Sequence, residues 1–167
     1  MVKEHYVRNM QQARTSIVRQ LHSLKLLVSG LDIEMDKSQF TPKLTETAFG
    51  KWFYGEAMLF SSENNLHCLN DIEKSLLEFH AYFTQIYATY YAKRAAGLLG
   101  LLGIKRKPTP AEEAAAQRLY EEMVTLADRL KKQMNLLAAI LEKMPDEAFS
   151  KLSHAPQKRL MSALHRD

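Results

Sequence analysis

Leu69-Asn-Asp-Ile72-Glu-Lys-Ser-Leu76-Leu-Glu-Phe79-His-Ala-Tyr-Phe83-Thr-Gln-Ile86-Tyr-Ala-Thr-Tyr90 decides the fold class. Its apolar residues recur in alternating steps of three and four over three heptads, the spacing that lines one face of a helix. A second stripe, Leu77, Thr84, Tyr87 and Tyr91, runs beside the first, so this helix needs broad burial or two neighbours. Upstream, Val7, Met10, Ala13, Ile17, Leu21, Leu24, Val28 and Leu31 repeat the pattern, and Gly30 and Asp32 punctuate its end near residues 29–31. Downstream, residues 97–103 and then Lys105-Arg-Lys-Pro108 close the central helix. Thr109-Pro110-Ala-Glu112 opens the next one with an N-cap, a proline at the first helical position and a glutamate at the third. Leu119, Met123, Leu126, Leu130, Gln133, Leu137, Ile140 and Met144 carry its seam to Pro145, with Gln133 expected to be partly exposed.

Residues 32–42 read as a connector, and Thr41-Pro42 as the start of a short helix reaching about Ala48. Gly50 and Gly55 bracket Lys51-Trp52-Phe53-Tyr54, which predicts two short helices or one kinked helix from 43 to about 60. The only tryptophan and its aromatic neighbours read as a plug packing this arm on the rest. Residues 61–65 are a loop or a helix start. Beyond Pro145, Phe149, Leu152, Leu160, Met161 and Leu164 allow two short amphipathic helices around Pro156. No stretch alternates with period two. The expectation is an all-α protein: an antiparallel four-helix bundle over 1–144 with one interrupted arm, and a basic helical tail over 145–167.

A chain of 167 residues, 46% apolar and 25% charged, can bury its own core and is neither a disordered tail nor a membrane protein. The apolar run over 95–104 is too short to span a bilayer, and Met-Val-Lys-Glu-His-Tyr lacks a secretory apolar region, so a cytoplasmic location is expected. Charge is uneven: residues 1–91 net −1 and residues 92–167 net +5. The cations cluster at Lys93-Arg94, Lys105-Arg106-Lys107 and Lys158-Arg159; Lys105, Arg106 and Lys107 are the candidate partner-binding residues, although solvated helix ends explain such clusters too. One cysteine, Cys68, excludes a disulfide framework and every multi-cysteine metal site. The glycines at 97, 100 and 103 lack a strand before them and a P-loop lysine, and no Gly-x-Ser-x-Gly elbow occurs. His67 and Cys68 are adjacent, and adjacent helical side chains diverge, so Cys68 reads as a buried structural thiol. No two of the six histidines stand four apart on a helix. His80, beside Phe79, reads first as a flanking histidine. No enzyme, cofactor or metal is expected.

Phe49-Gly50-Lys51-Trp52, preceded by a long amphipathic helix and followed by the helix that ends in Leu-Glu-Phe-His80, resembles the chemoreceptor zinc-binding domain family over about residues 10–90. That family shows a Cys-x-Phe/Leu-Gly-Lys-Trp motif, a His-x-x-x-His helix and a further histidine on its first helix. The resemblance implies a usually dimeric four-helix bundle that serves bacterial chemoreceptors and diguanylate cyclases as a cytoplasmic sensory module. It also implies Phe49, Gly50, Lys51 and Trp52 as the structural motif. Aligned on Gly-Lys-Trp, the cysteine position holds Ala48 or its neighbour Thr47, and the first histidine of the pair is Leu76. Residues 15–18 contain no histidine, and His22 lies further along. Only His80 remains, a remnant metal candidate. The expected function is a zinc-free regulatory interaction module, acting with a protein partner in chemotaxis or cyclic-di-GMP signalling, as a homodimer and without nucleic acid. The alternatives are a metal- or small-ligand-binding bundle using donors such as His22, His67, Cys68 and His80, or a nucleic-acid or membrane-surface binder through the basic C-terminal half.

Overall fold

A computed structural model describes residues 2–31, 41, 43–92, 98–102 and 107–153, and among these there is no strand. Helix α1 is Val2–Val28. It stops where Gly30 takes a left-handed φ of 80° and the Gly30 and Leu31 amides donate to Leu27 and Leu26 carbonyls, a glycine-terminated C-cap. Helix α2 is Ala48–Gly55. Helix α3 is Leu66–Tyr87 and runs into a π-helical turn at Ala88–Ala92. A single turn, α4, is Leu98–Leu101. Helix α5 is Pro110–Lys143, and α6 is Asp146–Ser153. The capping box is formed as the sequence predicts: Thr109 Oγ1 accepts from the Glu112 amide, and the Glu112 carboxylate accepts from the Thr109 amide.

Among the described residues, α1, α2, α3, α5 and α6 pack together. Helix α5 is central and lies against both α3 and α1. It runs antiparallel to α3, since Cys68 at the start of α3 donates to the Gln133 carbonyl, while Arg129 stands 3.9 Å from Glu78 further along. It runs antiparallel to α1 as well: Lys3 donates to the Glu142 and Met144 carbonyls, and Arg14 to Asn135. The α3 seam is buried from Leu69 through Ile72, Leu76, Phe79 and Phe83 to Ile86, and each such side chain stabilises the fold by about 1.5–3 kcal/mol.

The seam of α5 departs from its heptad reading. Met134 and Leu141 are buried, while Gln133 and Ile140 are only half-buried. A straight helix drifts by about 20° per strict heptad, so by the third or fourth heptad the core face has moved on by most of one residue. On α1 the core takes Tyr6 and Leu27; Val7 and Val28 are half-buried and Leu31 is exposed.

The arm also starts later than Thr41-Pro42 suggests. Pro42 lies outside the described residues. Thr41 instead hydrogen-bonds Glu46 at 2.9 Å ahead of a 3-10 turn at Leu44–Glu46. The helix cap is Thr47, whose Oγ1 accepts from the Gly50 amide at 2.9 Å and donates to the Leu44 carbonyl at 2.7 Å. Gly50 does not interrupt α2. It sits in the first turn, where a Cβ would collide with the Leu44 carbonyl. Gly55 is the last residue of α2, and a 3-10 turn at Ala57–Phe60 follows. Packing continues past the expected boundary after residue 144, because Phe149 of α6 is 1% exposed within the same core. The remainder of the tail, residues 154–167, lies outside the described residues. No helix among the described residues is long and apolar enough to cross a membrane.

Candidate partner-binding site

Residues 44–60 fold back along α1. Thr47 and Ala48 share a cleft with Ser16 and Gln20, and Glu56 accepts from Asn9 Nδ2 at 2.8 and 2.9 Å. This brings aromatic rings from four segments to one end of the molecule. Trp52 is 4% exposed, with its ring centroid 5.4 Å from Phe49 and 6.1 Å from Tyr6. Tyr6 packs edge-on against Phe60 at 4.7 Å and Phe149 at 5.7 Å, and Phe60 stacks on Phe149 at 4.3 Å. Such ring pairs add about 0.5–1.5 kcal/mol each beyond the area they bury, and they fix orientation. Asn65 closes the loop behind them: its Oδ1 accepts from the Ser62 amide at 2.7 Å, and its Nδ2 donates to the Phe60 carbonyl at 2.8 Å.

The cluster has a polar edge. Asn9 Nδ2 also lies 3.1 Å from His5 Nε2. The Tyr6 hydroxyl and the Trp52 indole N–H are buried with no hydrogen-bond partner among the described residues. Burial, and then the nearby Glu56 and Cys68, hold the Tyr6 phenol well above its ordinary pKa. Tyr54 donates to Glu73 at 3.0 Å; burial and then that carboxylate raise its pKa too.

Phe149 of this aromatic end lines an open groove of about 680 Å³ between α1 and α6. Val7 and Phe149 form the bottom, and Lys3, Arg8, Glu4 and Asp146 the rim. The two cations and two anions cancel. Lys3 is held by the last carbonyls of α5, so that side of the rim is fixed. Ligand-sized pockets span about 300–1,000 Å³, and an open groove between two helices with an apolar bottom and charged rim suits a peptide segment.

Of the sequence-derived candidates, Phe49, Gly50 and Trp52 are buried in the arm, and Lys51 is exposed. His80 is half-buried on α3, its ring 6.1 Å from Phe83 and away from the aromatic end. Lys107 is exposed, whereas Lys105 and Arg106 lie outside the described residues. His67 pairs outward with Asp71 at 3.1 Å, while Cys68 is buried, with its thiol raised by burial and by Asp71, a poor setting for a nucleophile.

Leu76 is packed in the core, the Thr47 hydroxyl is engaged with Leu44 and Gly50, and among the described residues no three His, Cys, Asp or Glu side chains converge.

The sequence reading missed Tyr6, Asn9 and Glu56. Tyr6 stands four residues before Met10 and Val7 three before it, so both fit the helical period, and only the neighbouring arm decides between them. No family model, curated protein or solved structure matches this chain.

Proposed function

We propose that this chain is a non-enzymatic regulatory interaction module of the bacterial cytoplasm. In this reading it is an antiparallel four-helix bundle of the chemoreceptor zinc-binding type. Helices α1, α3 and α5 form three corners and the arm 44–60 forms the fourth. It works without zinc, as a homodimer, on a protein partner from chemotaxis or cyclic-di-GMP signalling.

The observation that carries the reading is the charge-balanced groove between α1 and α6, lined by Val7 and by Phe149, which stacks on Phe60 beneath it. Preorganised walls lower the ordering cost of association, which suits a recognition surface. A polyanion has no net attraction to a rim whose four charges cancel, so a protein segment with both signs is the better occupant. The resemblance over 10–90 supplies the signalling context.

Calorimetric titration with the cytoplasmic signalling domain of a chemoreceptor, and separately with a diguanylate cyclase, tests the proposal. The expected result is binding to one of them with a Kd on the order of micromolar. Arg8→Glu, which unbalances the exposed rim, weakens that binding roughly tenfold. Absence of binding to both, or binding indifferent to Arg8→Glu, contradicts the reading.

A further inference from the structure

Helix α6 is a ridge with a groove on either side. Asp146, Phe149 and Ser150 line the α1/α6 groove, while Ala148, Lys151 and Leu152 line a second one of about 520 Å³. The other wall of this second groove is the end of α5, with Ile140, Lys143 and Met144, and Ser62 and Asn64 close it. Ile140, Met144, Ala148 and Leu152 are half-buried, so the core takes only part of each side chain and the groove takes the rest. Leu136 stands one turn before Ile140 on the same face of α5 and is 55% exposed. A single exposed leucine is ordinary, but this one lengthens an apolar strip that already exists.

The charge on the strip has one sign. Lys143 and Lys151 line the groove, and the exposed Lys132 stands one turn before Leu136. Helix α5 carries no acidic residue between Asp128 and Glu142. Glu63, Glu142 and Glu147 are exposed, and none of them lines the groove. The α1/α6 groove, with two cations and two anions on its rim, differs in this respect.

We propose that this second groove is a docking site for an acidic amphipathic helix of a protein partner. The apolar side of that helix lies in the strip, and its carboxylates meet Lys132, Lys143 and Lys151. From Lys132 to Met144 the strip runs about 18 Å, the length of a helix of roughly three turns. Anchors on such a helix recur once per turn, which matches the one-turn spacing of Leu136, Ile140 and Met144. Other occupants fit less well. The chain's own residues 154–167 carry Lys158, Arg159 and Arg166 against Asp167 alone, so they bring like charge to like. A two-fold contact of this face with a second copy sets the same three lysines against each other. A nucleic acid uses the lysines and leaves the apolar strip in water. A lipid surface is entered by protruding side chains, whereas most of this strip is half-buried in a groove.

Fluorescence anisotropy of the full chain with a labelled helical peptide of about fifteen residues tests the proposal. The peptide carries leucines along one side and glutamates beside them; a twin has lysine in place of each glutamate. The glutamate peptide is expected to bind with a Kd on the order of 100 μM or tighter, and the lysine twin roughly tenfold more weakly. Lys143→Glu combined with Lys151→Glu reverses that preference, and Leu136→Asn weakens the glutamate peptide several-fold. The melting temperatures of these variants stay at the parent value, because the substituted side chains are already exposed. Arg8→Glu leaves glutamate-peptide binding unchanged, which separates this site from the α1/α6 groove on the other side of α6. The proposal is overturned if neither peptide binds, if both bind alike, or if the double lysine variant keeps the parent preference. It is also overturned if a peptide of residues 154–167 binds more tightly than the glutamate peptide, or if Leu136→Asn abolishes self-association in sedimentation and leaves peptide binding intact.

Discussion

A Cβ on Gly50 would collide with the Leu44 carbonyl, so the glycine marks the point where the arm turns onto itself rather than a break in its helix. The sequence shows a glycine between aromatic residues but not the carbonyl that comes to meet it, which is why Gly50 reads there as a boundary. Trp52, two residues on, is legible as a packed residue because a lone tryptophan among aromatics has little other use. Trp52→Ala is expected to cost about 3–5 kcal/mol, a fall in melting temperature on the order of 10 °C for a chain of this length. An unchanged melt would make the arm peripheral. Tyr6 gives a pH test. Its folded-state pKa is raised, so its stabilising contribution is present below the unfolded value of about 10 and is lost as pH rises above it, by up to about 1.4 kcal/mol per pH unit. Urea midpoints at pH 9, 10 and 11 therefore fall in the parent and fall less in Tyr6→Phe. At pH 7 that substitution removes a hydroxyl that has no partner among the described residues, so it leaves stability within about 1 kcal/mol of the parent or raises it.

At the scale of elements, local chemistry was readable and long-range packing was not. The Thr109 capping box combines three neighbouring choices, Thr, Pro and Glu, and it forms where it was read. Thr109→Ala removes its oxygen acceptor and is expected to cost about 1 kcal/mol, visible as a melting temperature lower by a few degrees. Thr41-Pro42 and Thr47 both carry cap chemistry, so the sequence alone places the start of α2 too early; Thr47 wins where its hydroxyl reaches both Leu44 and Gly50. The α3 seam keeps its register from Leu69 to Ile86, while the longer α5 passes the core position from Gln133 to Met134. Phe149 was visible as an apolar residue in a short amphipathic stretch. Its stacking on Phe60, 89 positions earlier, depends on the chain turning at Pro145 and on α6 folding back against the 57–60 turn. Nothing local encodes that contact, and it builds the floor of the candidate groove.

For the whole molecule, a packed helical core carries a charge-balanced groove between α1 and α6, lined by Val7 and Phe149. The partner was the least legible part, because recognition depends on which side chains stay exposed once five helices have packed. The sequence predicts a homodimer from the apolar residues that flank the seams at 69–90 and 116–144, Leu77, Tyr87, Tyr120, Ala127 and Met134. Met134 among them is consumed by the core, while Leu77 is 52% exposed and Tyr87, Tyr120 and Ala127 are half-buried. Sedimentation at tens of micromolar is expected to give twice the 19.2 kDa chain mass, and a purely monomeric species counts against the dimer. The central proposal is that the positions where the resembled family holds zinc serve the fold instead: Leu76 lies in the core, the Thr47 hydroxyl closes a turn, and Ala48 beside it is exposed. The most direct test is the thermal melt of the purified chain with and without a strong chelator, alongside its zinc content. The account predicts well under one equivalent of zinc and superimposable melts, because core burial supplies what metal supplies in small metallo-domains. Near-stoichiometric zinc, with a transition that collapses on chelation, would contradict it.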